Sequence, residues 1–242
     1  MTAIILGIGT SAPPHSITQD AAAALACRLR PLAEDHARLI PALYRRAGVR
    51  SRASVLLPHD ENHAFFEPAS SPTDRGPGTA ARSDRYSVEA PTLAAAASIA
   101  ALADAKLHAR DMTHLITVSC TGFAAPGVDV SLIRTLGLSP TVERTHIGFM
   151  GCHASINALR VAKAFCDADP AARVLICAVE LCSLHFHYTH DPEKLVANAL
   201  FADGAAAAVI SGQTQQASEL NTDASHHHAH HEALRIVALD LP

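Results

Sequence analysis

Gly148-Phe149-Met150-Gly151-Cys152-His153-Ala154-Ser155-Ile156-Asn157-Ala158-Leu159-Arg160 is the stretch whose reading decides the fold. An apolar, strand-like run ends in Gly-Cys, and an almost uniformly small or apolar helical pattern follows at once. Gly151 permits a tight strand-to-helix bend. The pattern predicts a thiol at the first turn of a buried helix, where backbone N–H groups and the helix dipole favour thiolate over thiol. A thiolate so placed is a nucleophile able to hold an acyl group as a thioester. Spacing alone leaves a second reading open, because a buried cysteine is often only a small hydrophobe. The polar residues His153, Ser155 and Asn157 in the first turns favour chemistry. Cys27, Cys166 and Cys177 lack that setting and read as core.

The flanking sequence alternates strands and helices. Residues 3–9 read as a buried strand stopped by Pro13-Pro14, and Thr18 caps a helix over 19–30. A second helix is expected over 33–46, ended by Gly48, with strand-like alternation from Val49 to Val55. Residues 67–80 have loop composition. Residues 83–107 are Ala-rich and helical, with Pro91 either kinking that helix or starting a new one. His114–Cys120 reads as a buried strand, and a Pro/Gly turn at 126–127 leads to a helix through Leu136. Residues 142–150 form the strand entering Cys152, whose helix runs to about 166. Residues 173–181 are the next apolar strand, then a short helix near 192–200 and a small-residue strand near 204–211. This order predicts a layered α/β fold. The chain divides into residues 1–212 and a polar, His-rich stretch 213–242 that closes on an apolar segment from Leu234 to Leu239.

Composition narrows the function. The chain has 242 residues, 49% hydrophobic and 17% charged, with a net charge of −4 and no Trp. Neither a basic surface nor stacking aromatics points to nucleic acid. No apolar run reads as a membrane span, and the N-terminus reads as a first strand, not a signal peptide. Six scattered cysteines suit reduced thiols in the cytoplasm. Cys182-Ser183-Leu184-His185-Phe186-His187-Tyr188-Thr189-His190 fits no closed zinc pattern and reads as strand end and loop. His226–His231 reads as a solvated loop. No metal site is expected.

Six segments in order carry a resemblance: Leu6-Gly7-Ile8-Gly9-Thr10; Val118-Ser119-Cys120-Thr121-Gly122-Phe123; Ala125-Pro126-Gly127-Val128-Asp129; the Cys152 run; Val179-Glu180-Leu181-Cys182-Ser183-Leu184; and Ala199-Leu200-Phe201-Ala202-Asp203-Gly204-Ala205-Ala206-Ala207. From Ile4 to about Ser211 the chain resembles the N-terminal half of a type III polyketide synthase, the chalcone synthase-like branch of the thiolase superfamily. The resemblance implies a thiolase-like fold and a homodimer. It implies that Cys152 is loaded by a starter acyl-CoA and extended with malonyl-CoA units, with no organic cofactor or metal. It implies that Phe201 is a gatekeeper between the CoA tunnel and the reaction cavity, that Cys120, Thr121 and His185 line that cavity, and that Cys120 is a possible second reactive thiol. By themselves Phe201 reads as core and Cys120 and Thr121 as strand-end residues. The Pro126 turn reads either as an ordinary surface turn or, by resemblance, as one with a cis peptide that reaches the partner's cavity. Arg45, Arg46, Arg50 and Arg52 form a basic cluster that reads either as a solvated helix end or, by resemblance, as cations gripping CoA phosphates, with Arg50 and Arg52 the candidates.

The resemblance also requires a His and an Asn beside Cys152, from the second half of the fold. No Gly-Gly-Pro-like segment around a His and no Gly-Asn-Met/Ser-like segment occurs among these 242 residues. The expectation is therefore a truncated, split or frameshifted form with an exposed apolar face and little polyketide synthesis alone. Two alternatives stand beside it. One is a ketoacyl synthase III-like or hydroxymethylglutaryl-CoA synthase-like condensing enzyme, disfavoured by the Phe-Met-Gly-Cys-His-Ala and Glu-Leu-Cys-Ser-Leu runs. The other is a non-catalytic half-fold that associates with an intact homologue or a separate C-terminal half.

Overall fold

A computed structural model describes residues 3–29, 39–57, 65–189 and 191–212, and the backbone of 234–236. The centre is a six-stranded mixed sheet in the order β5-β4-β6-β7-β1-β8. Its strands are β1 (Ala3–Ser11), β4 (His114–Ser119), β5 (Glu143–Gly148), β6 (Arg173–Leu181), β7 (Asp203–Gly212) and β8 (Leu234–Ile236). β5, β4 and β6 run parallel, while β7 is antiparallel to both β6 and β1. β4 is buried along its whole length, as an apolar parallel strand covered on both faces should be.

One face carries α3 (Thr79–Asp104), with α4 (Val128–Leu136) beside it; the other carries α5 (Ala154–Ala168). A smaller cluster holds α1 (Gln19–Leu29), α2 (Leu39–Arg46) and α6 (Pro192–Leu200) together through Ala22, Ala26, Ile40, Tyr44, Leu195 and Ala199. A short hairpin of β2 (Ser16–Thr18) and β3 (Ser51–Ala53) adjoins it.

Several boundaries differ from the sequence reading. The Ala-rich helix begins at Thr79 and runs unbroken through Pro91 to Asp104. Pro91 removes one backbone donor, but the flanking Ala90, Ala94, Ala97 and Ala101 are fully buried and hold the helix in line. This helix is long and apolar enough to cross a membrane, yet it is packed on the sheet and serves as a core helix. The strand expected over Val49 to Val55 is only three residues long. The helix expected over 33–46 is described from Leu39, its earlier residues lying outside the described set. Residues 173–181 and the helix through Leu136 fall where the sequence put them.

The Gly-x-Gly of β1 follows from packing. Gly7 and Gly9 face α3, and a Cβ on either would collide with helix backbone, at Ala105 N and Ala97 O respectively. Ile8 points to the opposite face of the sheet, pairs with Ala208 and stays 49% exposed. Gly9→Ala is expected to destabilise the chain by roughly 1–3 kcal/mol, the usual cost of overpacking, read as a lower urea midpoint. An unchanged midpoint would mean that α3 does not bear on β1.

Candidate active site

β5 ends at Gly148, and the chain reaches Cys152 through two left-handed residues, Phe149 (φ 58°) and Gly151 (φ 69°). Gly151 adopts that conformation freely, whereas Phe149 does so at a cost that concentrates at functional loops. The Phe149 N–H donates to Ser119 O at 3.3 Å, tying the loop to the end of β4. Cys152 is exposed, and two expectations for it are corrected. It sits in a separate 3₁₀ turn, Gly151–His153, before α5 begins at Ala154. Gly151, left-handed, opens that turn as its first residue, and the α-helix starts only after His153. Nor is the helix buried all round. Its buried stripe is Ala154, Ala158, Ala162 and Cys166, at four-residue spacing, while Ile156 is 44% exposed.

The ends of β4 and β6 meet beside this loop. Glu180 accepts the Cys120 N–H at 2.9 and 3.2 Å on its two oxygens and the Thr121 hydroxyl at 2.5 Å, with Ser119 Oγ at 3.5 Å. Thr121 is fully committed: its hydroxyl also accepts the Leu181 N–H at 2.9 Å, and its carbonyl accepts from His185 Nε2 at 2.5 Å. That contact fixes the His185 tautomer with the proton on Nε2. Gly122 follows because the Tyr86 ring of α3 fills the space a Cβ would need. Burial pushes the Tyr86 hydroxyl up to about 12, opposed by a hydrogen bond with Ser119. Among the described residues no three His, Cys, Asp or Glu side chains converge to hold a metal. His190 and His226–His231 lie outside the described residues.

Phe201 follows the last residue of α6 and is 49% exposed. Its place is set by groups that cap the end of α6, where unpaired carbonyls attract donors and cations. Arg52 donates to Asn198 O and, at 3.2 Å, to Phe201 O, with its guanidinium 5.1 Å over the Tyr44 ring. Gln19 Nε2 donates to Ala199 O at 2.8 Å and Tyr44 O at 3.1 Å. The Asn198 amide makes two bonds with the His187 backbone, at 3.0 and 2.9 Å. Asp203 accepts from Val55 N, Ser183 N and Ser183 Oγ at 2.8, 2.7 and 2.6 Å, and burial raises its carboxyl above the usual range.

Cys152, Cys120, Thr121, His185, Phe201 and Arg52 all line one cavity of about 570 Å³. Arg50 is not among its lining residues and is exposed. A wider groove of about 890 Å³ adjoins it, sharing Cys120, Thr121 and His185 but not Cys152. Phe123 and Phe149 flank that groove, rings 6.4 Å apart, both largely exposed. The neighbouring Ala125–Pro126 peptide is cis. The cavity therefore joins an accessible thiol, an apolar wall and an aromatic side chain at the end of a helix. That arrangement suits acyl transfer to sulfur.

The model of the N-terminal domain of chalcone and stilbene synthases matches residues 1–214. This chain belongs to that family. An alpha-pyrone synthesis polyketide synthase-like protein of Mycobacterium tuberculosis is 34% identical over 215 residues, 88% of this chain and 53% of the relative. The 1,3,6,8-tetrahydroxynaphthalene synthase of Streptomyces coelicolor is 36% identical over 206 residues, 84% of this chain and 51% of the relative. The crystal structure of the C-terminal type III polyketide synthase domain of Steely1 from Dictyostelium superposes with a TM-score of 0.78 at 28% identity, covering 88% of this chain and 57% of that one. The chain thus spans about half the length of these relatives, and its fold is the first half of their thiolase-like α/β arrangement.

Two site residues escaped the sequence reading in their roles. Glu180 stood in a quoted segment with no function attached; a carboxylate ending an apolar strand beside a thiol segment is the signal that could have found it. Arg52 holds the end of α6 and the Phe201 backbone, a contact across 146 residues that no spacing reveals. Arg52→Met is expected to cost about 1–2 kcal/mol by leaving the part-buried Asn198 carbonyl without its donor, lowering the thermal midpoint, while Arg50→Ala leaves it unchanged. Equal midpoints for the two variants would remove Arg52 from that role.

Proposed function

We propose that this chain is the nucleophile-bearing half of a type III polyketide synthase, an acyltransferase that condenses an acyl-CoA starter with malonyl-CoA units. The observation that carries the reading is Cys152, accessible on its turn and opening into the cavity that Phe201 also lines. The Cys152 sulfur attacks the starter thioester carbonyl, the bond to the CoA sulfur breaks, and CoA leaves with the proton the cysteine gave up. Phe201 stands as the gate of that cavity. Cys120, Thr121 and His185 form its wall. Arg50, exposed beside Arg45 and Arg46, is the candidate for CoA phosphates. The thioester supplies the reactivity, so the scheme calls for no organic cofactor or metal. Six free cysteines suit a reducing cytoplasm.

Extension asks for more than loading. Decarboxylating malonyl-CoA needs oxyanion donors, each worth about 10²–10³ in rate, and the His and Asn motifs implied by the family are absent from this sequence. A homodimer or a complementing C-terminal half is the expected partner. A second reading, a non-catalytic half-fold that docks on such a partner, is favoured by the exposed apolar side chains Ile8, Ile156 and Phe149, the last 71% exposed.

Intact-mass measurement after incubation with acyl-CoA starters separates the two. Wild type is expected to gain one acyl mass that Cys152→Ala does not, with malonyl-CoA turnover remaining far below that of a full-length synthase. A folded wild type that gains no acyl mass would leave the docking reading in place of the enzyme.

A further inference from the structure

Three thiols line the cavity, and the proposed chemistry uses one. Cys120 follows β4, Cys152 lies in its 3₁₀ turn, and Cys182 opens the 3₁₀ turn Cys182–His185 after β6. All three residues line the space an acyl-CoA would enter, with Cys152 the most exposed of them. Glu180 is the group that stands differently toward them. Its carboxylate is pinned to the end of β4 by the Cys120 amide, the Thr121 hydroxyl and Ser119, and it lies two residues from Cys182. Among the described residues no Lys or Arg forms an ion pair with it. This fixed negative charge sits in the cavity wall.

We infer that Glu180 is a positioning residue that confines acyl loading to Cys152 by keeping the thiols of Cys120 and Cys182 protonated. The inference rests on the reading of Cys152 as the acyl acceptor. An acyl group passes from the CoA sulfur to a protein sulfur only when a thiolate attacks the carbonyl, so a thiol kept in its protonated form stays unloaded. An anion close to a thiol opposes its ionisation, as does burial. Both act on Cys120. Burial raises it, the Glu180 charge and hydrogen bond add to that, Cys152 contributes in the same direction, and only the Gly151 N–H opposes, leaving the thiol at about 11. Burial likewise lifts Cys182, followed by Glu180, Asp203, Cys120 and Cys152, to about 12. The other titratable side chains lining the cavity are Tyr44, Arg52, His187 and His185, which donates to Thr121, while Tyr86 of α3, itself held neutral, packs against Gly122.

The test is the pH profile of iodoacetamide alkylation in the full chain carrying Cys152→Ala, resolved by peptide mass spectrometry, with Cys27, which lies outside the cavity lining, as internal standard. Glu180→Gln keeps the shape and one acceptor oxygen while removing the charge. It is expected to shift the Cys120 profile toward lower pH by about one unit, a tenfold faster reaction at fixed pH. Cys182 should move the same way, Cys27 should stay, and Glu180→Asp should restore the parent profile. In the Cys152-containing chain, Glu180→Gln should add acyl groups on the Cys120 or Cys182 peptide. An unmoved Cys120 profile in the folded variant overturns the inference, as does Cys27 moving in step with it. If Glu180→Gln does not fold, Glu180→Met decides. It removes the charge together with its hydrogen bonds, and an unmoved Cys120 profile there overturns the inference equally. Failure of Cys152 to accept acyl groups would sink the enzymatic reading and with it the role in loading, while the alkylation profiles would still judge whether Glu180 keeps the Cys120 and Cys182 thiols protonated.

Discussion

The close seating of α3 on the sheet is the constraint from which the rest follows. At one end the helix backbone presses on β1 so tightly that only glycine fits at positions 7 and 9. The same helix carries Tyr86 at its other end, and that ring occupies the room a side chain at position 122 would take. One rigid element therefore sets both the depth of the core and the backbone path after β4. A run of alanines makes this possible, because a small-residue face lets helix and sheet backbones approach and bury their surface without cavities. The thiol loop, hydrogen-bonded to Ser119 at the end of β4, inherits its position from that contact.

On this scaffold the site is an exercise in carboxylate placement. Two acids, Glu180 and Asp203, stand at the paired ends of β6 and β7. Each accepts several hydrogen bonds from segments distant in sequence. Asp203 joins the turn after β6 to the segment after β3. Glu180 joins the ends of β4 and β6. Asp203 is buried and Glu180 partly so; acids bonded in this way act as structural rivets first, and their charge then colours the chemistry of the wall they sit in. Arg52 and Gln19 do the equivalent for α6 with donors in place of acceptors.

Much of this was legible in the sequence. Strand β6 reads as an unbroken apolar run, α4 is bracketed by its Pro/Gly turn and by Gly137, and Gly151-Cys152 announces a sharp bend into a helix. These signals are local, set by side-chain periodicity and by backbone freedom at glycine. What stayed hidden was non-local. The 3₁₀ turn that holds Cys152 off the helix follows a loop in which Phe149 is left-handed and hydrogen-bonded to Ser119 of another strand. The unbroken path of α3 through Pro91 depends on burial against three strands. The inward turn of Arg52, expected to face a phosphate, depends on carbonyls of a helix far along the chain. Periodicity reports which face is apolar, not which distant donor a carbonyl will find.

The way the last strand joins the sheet has an evolutionary consequence. Ala3 of β1 is flanked by Gly212 of β7 on one side and Ile236 of β8 on the other. Gly212 and Ile236 thus lie about two strand spacings, roughly 10 Å, apart. Loop-closure entropy grows so slowly that doubling the length of a connection costs only about 0.6 kcal/mol. Selection on folding therefore acts weakly on the length of a connection between β7 and β8, and far more strongly on the small residues of β1 that face α3. Descendants of this chain should therefore diverge fastest there, while the residues facing α3 stay nearly frozen.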